Sequence, residues 1–368
     1  MADGEKCKRV GEVADAVLAW YDAEGRDLPW RQGKDEKPDP YAVWLSEIML
    51  QQTTVKAAIP FYLKFLDLWP DIGALARAEL DDVMRAWAGL GYYSRAQNMH
   101  RTALIVANDM AGRFPENEEG LLALPGIGSY TAAAIAAIAF GHPATVVDAN
   151  VERVVARLYA VTAQLPGAKS ELKSHARDLM SIQRPGDYAQ AMMDLGAVLC
   201  TPKRPSCSRC PLAGTCQGLA RGIADTLPLK SAKSEKSRRR GNAFFALRAD
   251  DSVLLRRRPD KGLLGAMMEV PSAGWSGEEL AAKVRGTEAA PFAGSWRKLL
   301  PAVRNNFTHF HLELDVYFLA LPEELIHAPD APGDWRWVAR RDLAGEALPS
   351  VMRKVVSLAL RELQDTAP

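Results

Sequence analysis

Four of the five cysteines lie close together in the chain, as Cys200, Cys207, Cys210 and Cys216. Thiolates are soft anionic ligands, and the short loops between them lose little entropy on closing around a metal. Only Cys207 and Cys210 have the two-residue spacing that zinc sites usually repeat, and the six-residue gap after Cys200 suits a larger centre. The spacing favours a four-iron four-sulfur cluster over zinc or two disulfides. Cys7 is remote, and we expect a free thiol there.

A single carboxylic acid, Glu47, lies inside the strongly apolar segment Tyr41–Thr53, with Trp44 and Ile48 among its neighbours. An acid in such surroundings should have a raised pKa and remain protonated near neutral pH, ready to act as a general acid. The alternative is a half-exposed surface glutamate, which the apolar run makes less favourable.

A second acid, Asp148, follows two valines, and Asn150 comes two positions later. It is either a carboxylate held for chemistry at the end of an element or the N-cap of a helix that begins near Val151, and both can be true. Two carboxylates in different environments suggest a division of labour at a glycosidic bond. Glu47 would protonate the leaving group, and ionised Asp148 would stabilise the cationic sugar.

The segment Leu122–Thr131 separates two helical stretches and contains Gly126 and Gly128. These glycines permit a tight hairpin whose N–H groups point outward where the next helix begins, an arrangement that favours a phosphate. The alternative is an ordinary turn between helices, but the full string is more specific for a helix-hairpin-helix than a lone pair of glycines.

The composition is that of a soluble globular protein with two or three domains: 368 residues, 48% hydrophobic, 25% charged, with a net charge of +1. Because neither a signal peptide nor a membrane-spanning run is evident, we expect a cytoplasmic protein. The net charge does not indicate a nucleic-acid binder, so any such function rests on local patches. One basic stretch, Lys230–Arg240, is either such a patch or a solvated linker.

The pattern of apolar residues changes along the chain. Helical spacing predicts helices over Val10–Tyr21, Tyr41–Thr54, Leu80–Trp87, Ser94–Met110 and Thr131–Phe140. Two strands around the turn Asp250–Asp251, an alternating strand from Phe310 to Leu319, a strand at Trp335–Val338 and a helix over Pro349–Gln364 follow. We therefore predict an all-α domain over 1–228, a basic linker over 229–242 and an α+β domain over 243–368.

Together, the hairpin, Asp148 and the four-cysteine loop resemble the endonuclease III superfamily of base-excision DNA glycosylases, and Glu47 within Leu45–Thr53 matches its adenine-specific branch. The resemblance implies a multidomain protein: an all-α helix-hairpin-helix glycosylase core, with the hairpin at 122–132 and an iron–sulfur loop at 200–216, and a Nudix-like α+β domain. It implies one 4Fe-4S cluster and a monomer acting on double-stranded DNA with A:8-oxoguanine or A:G mispairs, away from membranes.

The resemblance also implies a reaction. Bifunctional relatives carry a lysine where this chain has Tyr130, so we expect a monofunctional enzyme that leaves an abasic site. Adenine would be extruded from the duplex into a pocket, protonated at N7 by Glu47, and released while Asp148 stabilises the oxocarbenium ion. Tyr130 and Asn150 match positions that hold this aspartate. A loop with Lys203, Arg204 and Arg209 would contact phosphates beside a chiefly structural cluster.

The remaining predicted residues match base-contacting positions of the family. The adenine pocket would be lined by Arg26, Trp30, Arg31 and Gln190. The gap in the duplex would be filled or wedged by Gln52, Thr53, Leu90 and Tyr92. The alternative for the four pocket residues is that their side-chain stems pack on the protein and any charge faces solvent. The alternative for the segment of Leu90 and Tyr92 is a pair of core aromatic residues beside a turn.

The second domain would read the lesion rather than hydrolyse a nucleotide. After Gly262–Leu264 and Glu269 the run of acids that binds magnesium in Nudix pyrophosphatases is missing from the sequence. Phe307, Thr308 and His309 match the Phe-Ser-His element that reads 8-oxoguanine, with threonine in place of serine. His309 could also be a solvent-facing strand residue.

Two other functions compete with this interpretation. One is a pyrimidine-lesion glycosylase with lyase activity, against which Tyr130 argues. The other is a non-catalytic DNA-binding protein whose cluster senses the redox state.

Overall fold

The structure is a computed structural model that describes residues 2–31, 37–231, 235–260, 262–275, 286–322 and 334–365, and the side chains of 2–10 and of Gln364 and Asp365 lie outside the description. Cys7 is therefore not described beyond its backbone. The chain forms two compact units, Met1–Arg77 with Asn98–Lys233, and Ala78–Gln97 with Ser234–Pro368. The second unit thus includes a segment from the predicted helical domain. The predicted domain boundaries themselves stay a prediction.

Helices make up almost all of the regular structure before residue 221. Their bounds are α1 Ala2–Glu24, α2 Pro40–Leu50, α3 Val55–Leu68, α4 Ile72–Ala76, α5 Leu80–Trp87, α6 Ser94–Asp109, α7 Glu118–Leu122, α8 Ser129–Phe140, α9 Ala149–Leu158, α10 Lys169–Asp178, α11 Pro185–Val198 and α12 Gln217–Ala220. The predicted all-α class of this region is confirmed. None of the described helices has the length and apolar character needed to cross a membrane.

One predicted helix was too long. The apolar pattern predicted a helix up to Thr54, but α2 ends at Leu50, and Gln52 has a left-handed backbone with φ of 58°. Thr54 instead caps α3, because its hydroxyl accepts a hydrogen bond from the backbone N–H of Ala57 at 3.4 Å. The turn between the two helices therefore presents three polar side chains, Gln51 to Thr53, instead of a continuous helical face.

The alanine-rich helix α8 forms the middle of the first unit. All but four of its side chains are buried, and its small residues permit close packing of α2, α7 and α11 around it. It begins after Gly128 and ends at Gly141, whose φ of 69° gives the left-handed cap that glycine adopts without strain. Helix α9 packs against α11, so α2, α8, α9 and α11 come together in one bundle.

The second unit contains a seven-stranded mixed sheet. Its strands are β1 Ser237–Arg248, β2 Ser252–Arg257, β3 Met268–Glu269, β4 Ser272–Ala273, β5 Arg297–Asn306, β6 Phe310–Leu321 and β7 Trp335–Ala339. The order β3-β2-β1-β6-β5 pairs β1 with β6 in parallel, β4 pairs with β1, and β7 pairs with β2. The helix α13, Ser350–Asp365, packs on one face, which confirms the predicted α+β class.

The predicted hairpin is confirmed, since Leu247 on β1 pairs with Val253 on β2 around the turn. The alternation from Phe310 is also confirmed: Phe310, Leu312 and Leu314 are buried on one face of β6. β1 begins at Ser237, so the end of the predicted linker 229–242 lies in a strand. Residues 232–234 of that stretch lie outside the described residues.

Candidate active site

One cavity of about 810 Å³ collects the predicted catalytic residues of the first unit. Glu47 and Asp148, which lie about a hundred positions apart in the sequence, line it together. The other predicted residues in its wall are Arg26, Trp30, Arg31, Gln52, Thr53, Tyr130, Asn150 and Gln190. The structure therefore brings the two acids into a single cavity.

Glu47 is buried in this cavity, with only 5% of its surface exposed. Burial raises the pKa of Glu47 to about 7, and the negative charge of Asp148 adds to the effect, while a hydrogen bond from Tyr130 and the charge of Arg31 oppose it. The Oε2 atom of Glu47 is buried without a hydrogen-bond partner among the described residues. An acid with this pKa is protonated in about half of the molecules at neutral pH and can release its proton to a bound base.

Asp148 has the opposite kind of environment. It is the N-cap of α9, and its Oδ1 accepts hydrogen bonds from the backbone N–H groups of Asn150 at 2.8 Å and Val151 at 2.7 Å. Its Oδ2 accepts a third bond, from Nδ2 of Asn150 at 2.7 Å. Three donors and the positive end of a helix favour a carboxylate at this place. The two alternatives for Asp148, cap and cavity residue, are thus both true.

Tyr130 and Asn150 hold these acids from two sides. Tyr130 is near the start of α8; its hydroxyl donates to Sδ of Met193 at 3.2 Å and lies within hydrogen-bonding reach of Glu47. Burial raises the pKa of Tyr130 well above its usual value, so the phenol is neutral. Asn150 accepts a hydrogen bond from Arg153 at 2.9 Å, which fixes the amide that faces Asp148.

Two arginines and a tryptophan form part of the cavity wall. Arg26 and Arg31 both bind the buried carboxylate of Asp194 on α11, at N–O distances of 2.6 Å. Trp30 meets the ring of Tyr62 edge to face, with centroids 5.4 Å apart. Gln190 is half-buried in the same wall. This side of the cavity combines an aromatic face with fixed hydrogen-bond donors.

The turn that follows α2 lies at the edge of the cavity and next to the hairpin. Gln52 is exposed in the left-handed backbone conformation noted above, a conformation that is strained for a residue with a side chain. Gln51 donates from Nε2 to the carbonyl of Gly126 at 3.3 Å and to the hydroxyl of Thr131 at 3.1 Å. The turn is therefore tied to the hairpin, where Gly126 has a φ of 77°.

Gly126 and Gly128 differ in whether the fold leaves room for a side chain. A Cβ at Gly126 would lie 2.8 Å from Cβ of Asn98, so the fold itself requires glycine there. A Cβ at Gly128 would meet no atom within 4 Å, and its φ of −93° suits any residue. The fold does not explain glycine at this helix N-terminus, but the close approach of an external group would.

The four clustered cysteines are all half-buried and free of disulfides. Burial raises the pKa of the Cys210 thiol to about 11, and the nearby Cys200, Cys216 and Cys207 raise it further, so the four thiols share one neighbourhood. Among the described residues no group of three or more His, Cys, Asp or Glu side chains is placed to hold a single metal ion. Four free thiols in one neighbourhood are a donor set that a metal ion or an iron–sulfur cluster can use.

Leu90 and Tyr92 do not line this cavity, since both belong to the second unit. There a second cavity of about 440 Å³ is lined by Tyr92 and by Phe307, Thr308 and His309, which stand between β5 and β6. Leu90 is buried, and Thr308 and His309 are exposed. Within the second unit, Tyr92 and the Phe-Thr-His element therefore line one cavity.

Phe307 is packed within a row of rings and guanidinium groups. It stacks on Phe310 at 4.7 Å and on Trp275 at 6.1 Å between ring centroids. Arg239 lies over the ring of Phe310 at 3.9 Å, and Lys236 donates to the carbonyl of Phe307 at 3.0 Å. Two residues of the basic stretch Lys230–Arg240 thus support this loop, a role that sequence reasoning missed.

Sequence reasoning missed further residues of the first cavity. Asp194, Met193, Glu152 and Lys169 line it or bind residues that do. Asp194 could have been found by the argument used for Glu47, because it is the only charged residue between Gln190 and Val198. Met193 and Lys169 carry no comparable signal.

Comparison with known proteins agrees with this geometry. Residues 45–180 match the HhH-GPD superfamily of base excision DNA repair proteins, and residues 242–358 match the NUDIX domain family. The fold and the cavity thus define the class: a helix-hairpin-helix DNA glycosylase with a Nudix-like C-terminal domain. The adenine DNA glycosylase of Homo sapiens is 35% identical over 92% of this chain and 72% of its own length, and that of Mus musculus is 36% identical over 92% and 76%. The chain belongs to the adenine DNA glycosylase family.

Solved structures agree with the fold of the first unit. A thermostable thymine-DNA glycosylase superposes with a TM-score of 0.52 at 29% identity, covering 60% of this chain and all of that one. A trapped covalent intermediate of endonuclease III with DNA has a TM-score of 0.50 at 20% identity, over 59% and 98%. These matches concern the fold; it is membership of the adenine DNA glycosylase family that makes the chain an N-glycosylase of base excision repair.

Proposed function

We propose that this enzyme removes adenine paired with 8-oxoguanine or guanine in double-stranded DNA, by hydrolysis and without cutting the strand. The observation that carries the proposal is the pair of unlike acids in one cavity: Glu47, whose pKa is raised to about 7, and Asp148, which accepts three hydrogen bonds. The relatives in Homo sapiens and Mus musculus are both named adenine DNA glycosylase, after the base that is released. An acid and a carboxylate are what its glycosidic bond requires.

In this proposal the base leaves as a neutral molecule. Glu47 gives its proton to N7 of the extruded adenine, the bond between C1′ and the base breaks, and its electrons remain with the base. Asp148 stabilises the oxocarbenium ion by its charge or by a transient bond, which breaks when water adds to C1′. The added water gives its proton to the ionised Glu47 or to solvent, which restores the acid. Asn150 and Tyr130 hold the acids during these steps.

Two unpaired buried atoms in the cavity support a polar, planar ligand. Oε2 of Glu47 and Nε of Arg31 lack hydrogen-bond partners among the described residues, and both residues line the cavity. With Glu47 protonated, each offers a donor, and a purine offers ring nitrogens that accept. Arg26, Trp30 and Gln190 would complete the adenine pocket.

Tyr130 supports a monofunctional enzyme. Its phenol is neutral, since burial raises its pKa well above the usual value. Whatever its protonation state, a phenol has no amine and cannot form the Schiff base through which a lysine would cleave the strand. The expected product is therefore an abasic site in an intact strand.

The duplex would be held by both units. The open face of Gly128 beside Gly126 favours a phosphate, and Gln52 and Thr53 would enter the space that adenine leaves. Leu90 and Tyr92 would wedge the duplex, and Phe307, Thr308 and His309 would read the opposite base. The Nudix-like domain would bind without hydrolysing, because the buried Glu269 is already bonded to Arg256, Arg258 and Ser272.

The clustered cysteines would hold one 4Fe-4S cluster, which crosslinks the loop 200–216. The backbone carbonyls of that loop already bind the buried Arg157, at 2.8 Å from Thr201 and 3.4 Å from Pro202. Purified protein should show iron and sulfide in equal amounts and absorb in the visible blue. Stoichiometric zinc with no such absorbance would contradict the cluster.

A single-turnover assay tests the function. Duplexes with adenine opposite 8-oxoguanine, guanine, cytosine or thymine should release adenine fastest with 8-oxoguanine and guanine, and strand breaks should appear only after alkali. Glu47→Gln and Asp148→Asn should bind the 8-oxoguanine duplex as wild type does but release adenine at least about a hundred times more slowly.

The competing functions predict other outcomes of the same assay. Strand cleavage without alkali, together with borohydride trapping of a covalent adduct, would favour the lyase. Tight binding with no adenine release by the wild type would favour a non-catalytic DNA-binding protein.

A further inference from the structure

Asp194 on α11 is the most heavily bonded carboxylate near the first cavity. It has no exposed surface, and both of its oxygens accept hydrogen bonds from both arginines of the cavity wall. Arg31 is bidentate, at 2.6 and 2.8 Å, and Arg26 donates from its backbone N–H at 2.9 Å and its Nε at 2.7 Å. Bidentate pairing fixes the plane of a guanidinium as well as its position.

The pair is coupled to the general acid through Arg31. This guanidinium is nearly buried, at 9% exposure, and its charge lowers the pKa of Glu47, against the larger effect of burial. Although the charge of Arg31 acts on Glu47, Oε2 of Glu47 has no hydrogen-bond partner among the described residues. The arginine is directed instead to Asp194, to the carbonyl of Arg26 at 2.9 Å, and over the ring of Tyr21 at 5.5 Å.

Without Asp194 the balance of charge would change. Two cationic side chains would stand together in a largely buried wall, and the nearest remaining anion for Arg31 would be ionised Glu47. An ion pair between Arg31 and Glu47 would favour loss of the proton that the leaving adenine needs. Burial alone would raise the pKa of Asp194, but the bonds from Arg31 and Arg26 hold it below its usual value, so Asp194 remains an anion.

We infer that Asp194 is a positioning residue of the active site: it fixes Arg26 and Arg31 in the cavity wall and so keeps Arg31 from pairing with the general acid Glu47. This inference rests on the proposed function. The charged and titratable groups that face Glu47 are Tyr130, Asp148 and Arg31. Those that face Asp194 are Arg26, Arg31 and, by its electrostatic interaction, Tyr21.

The test compares Asp194→Asn with Asp187→Asn in the full-length protein. Asp187 is on the same helix and pairs with Arg184 at 2.8 Å on a partly exposed surface, so its loss should leave rate and pH profile unchanged. For Asp194→Asn we expect a single-turnover rate at least about tenfold lower at neutral pH, with little change in the Kd for DNA. The pH above which the rate falls should move to lower pH.

A double variant separates positioning from mere folding. In Asp194→Asn combined with Arg31→Met, the pH at which the rate falls should return towards the wild-type value, because the arginine that pairs with Glu47 is gone. If Asp194→Asn keeps the wild-type rate, or loses rate and melting temperature with an unshifted pH profile, the inference is wrong.

If Asp194→Asn does not fold, Asp194→Glu keeps the charge but displaces it. We then expect a reduced rate with the wild-type pH profile, and an unchanged rate would overturn the inference. The wild-type enzyme is the reference in every case. Its failure to release adenine would contradict the proposed function. An active wild type, together with Asp194 variants that keep its rate and pH profile, would contradict only the role of Asp194.

Discussion

The hydroxyl of Tyr92 lies 3.1 Å from Oγ1 of Thr308, although the two residues are 216 positions apart in the sequence. Tyr92 has a left-handed backbone with φ of 49° and a half-exposed ring, and Thr308 is exposed. The predicted wedge and the predicted lesion reader thus share a hydrogen bond in the second unit. Thr308 keeps the hydroxyl of the family's usual serine, and this hydroxyl is the group that makes the contact.

This bond makes the choice of the opposite base sensitive to Thr308. Thr308→Val, which removes the hydroxyl and keeps the shape, should reduce the preference for 8-oxoguanine over guanine by about tenfold, the equivalent of one hydrogen bond of about 1.4 kcal/mol. Thr308→Ser is the matched control and should stay within about twofold of wild type. Single-turnover rates on the two duplexes measure the preference, and equal effects of both variants would contradict the role of the hydroxyl.

The raised pKa of Glu47 predicts how activity depends on pH. Since the acid must hold its proton to act, and its pKa is about 7, the single-turnover rate should fall about tenfold per pH unit above pH 7. Glu47→Gln has no titrating group there, and its residual rate should be flat in the same range. A wild-type rate that stays constant from pH 7 to about pH 9 would show that another group supplies the proton.

The same carboxyl should affect stability. Its pKa is about 7 in the folded protein and 4.5 in its ordinary state, so the native state holds a proton that the unfolded state releases. The free energy of unfolding therefore falls as the pH rises through this range, by about 3 kcal/mol in all. Glu47→Gln should be more stable than wild type at pH 8 but not at pH 4.5. Thermal melts at both pH values measure the difference, and an equal difference at both would contradict it.

The two glycines of the hairpin should respond differently to alanine. Gly126→Ala places a Cβ against Asn98 in a left-handed backbone. This should lower the free energy of unfolding by about 1 to 2 kcal/mol or more, and the melting temperature should fall with it. Gly128→Ala should leave the melting temperature unchanged but weaken DNA binding severalfold, because its Cβ would occupy the space proposed for a phosphate. Unchanged binding by folded Gly128→Ala would contradict the phosphate site.

Several features could be predicted from the sequence because their signals are local. A lone acid in an apolar helix indicated Glu47, and two valines before an acid indicated Asp148. The strand from Phe310 was evident from alternation. β5 was not predicted, since Pro301 and a bulge between Leu299 and Val303 interrupt its alternation.

Other features depend on contacts between distant residues and could not be predicted. Asp81 is in a helix whose bounds were predicted correctly, yet its partner, Arg257, is on a strand of the other predicted domain. For the same reason, the contact between Tyr92 and Thr308 could not be predicted from the sequence. The four hydrogen bonds to Asp194 also join distant segments of the chain, so the sequence around Arg26 or Arg31 did not indicate that Asp194 binds them.

The pair Asp81 and Arg257 has a consequence for how the protein is made. The arginine leaves the ribosome 176 residues after the aspartate, a delay of roughly 10 to 35 s at usual rates of translation. The hydrogen bond from Gln97 to the carbonyl of Gly265 likewise cannot form until residue 265 has been made. The stretch 78–97 is therefore made well before the partners that it has in the folded enzyme, and the second unit can be completed only after the strands beyond residue 234 have been made.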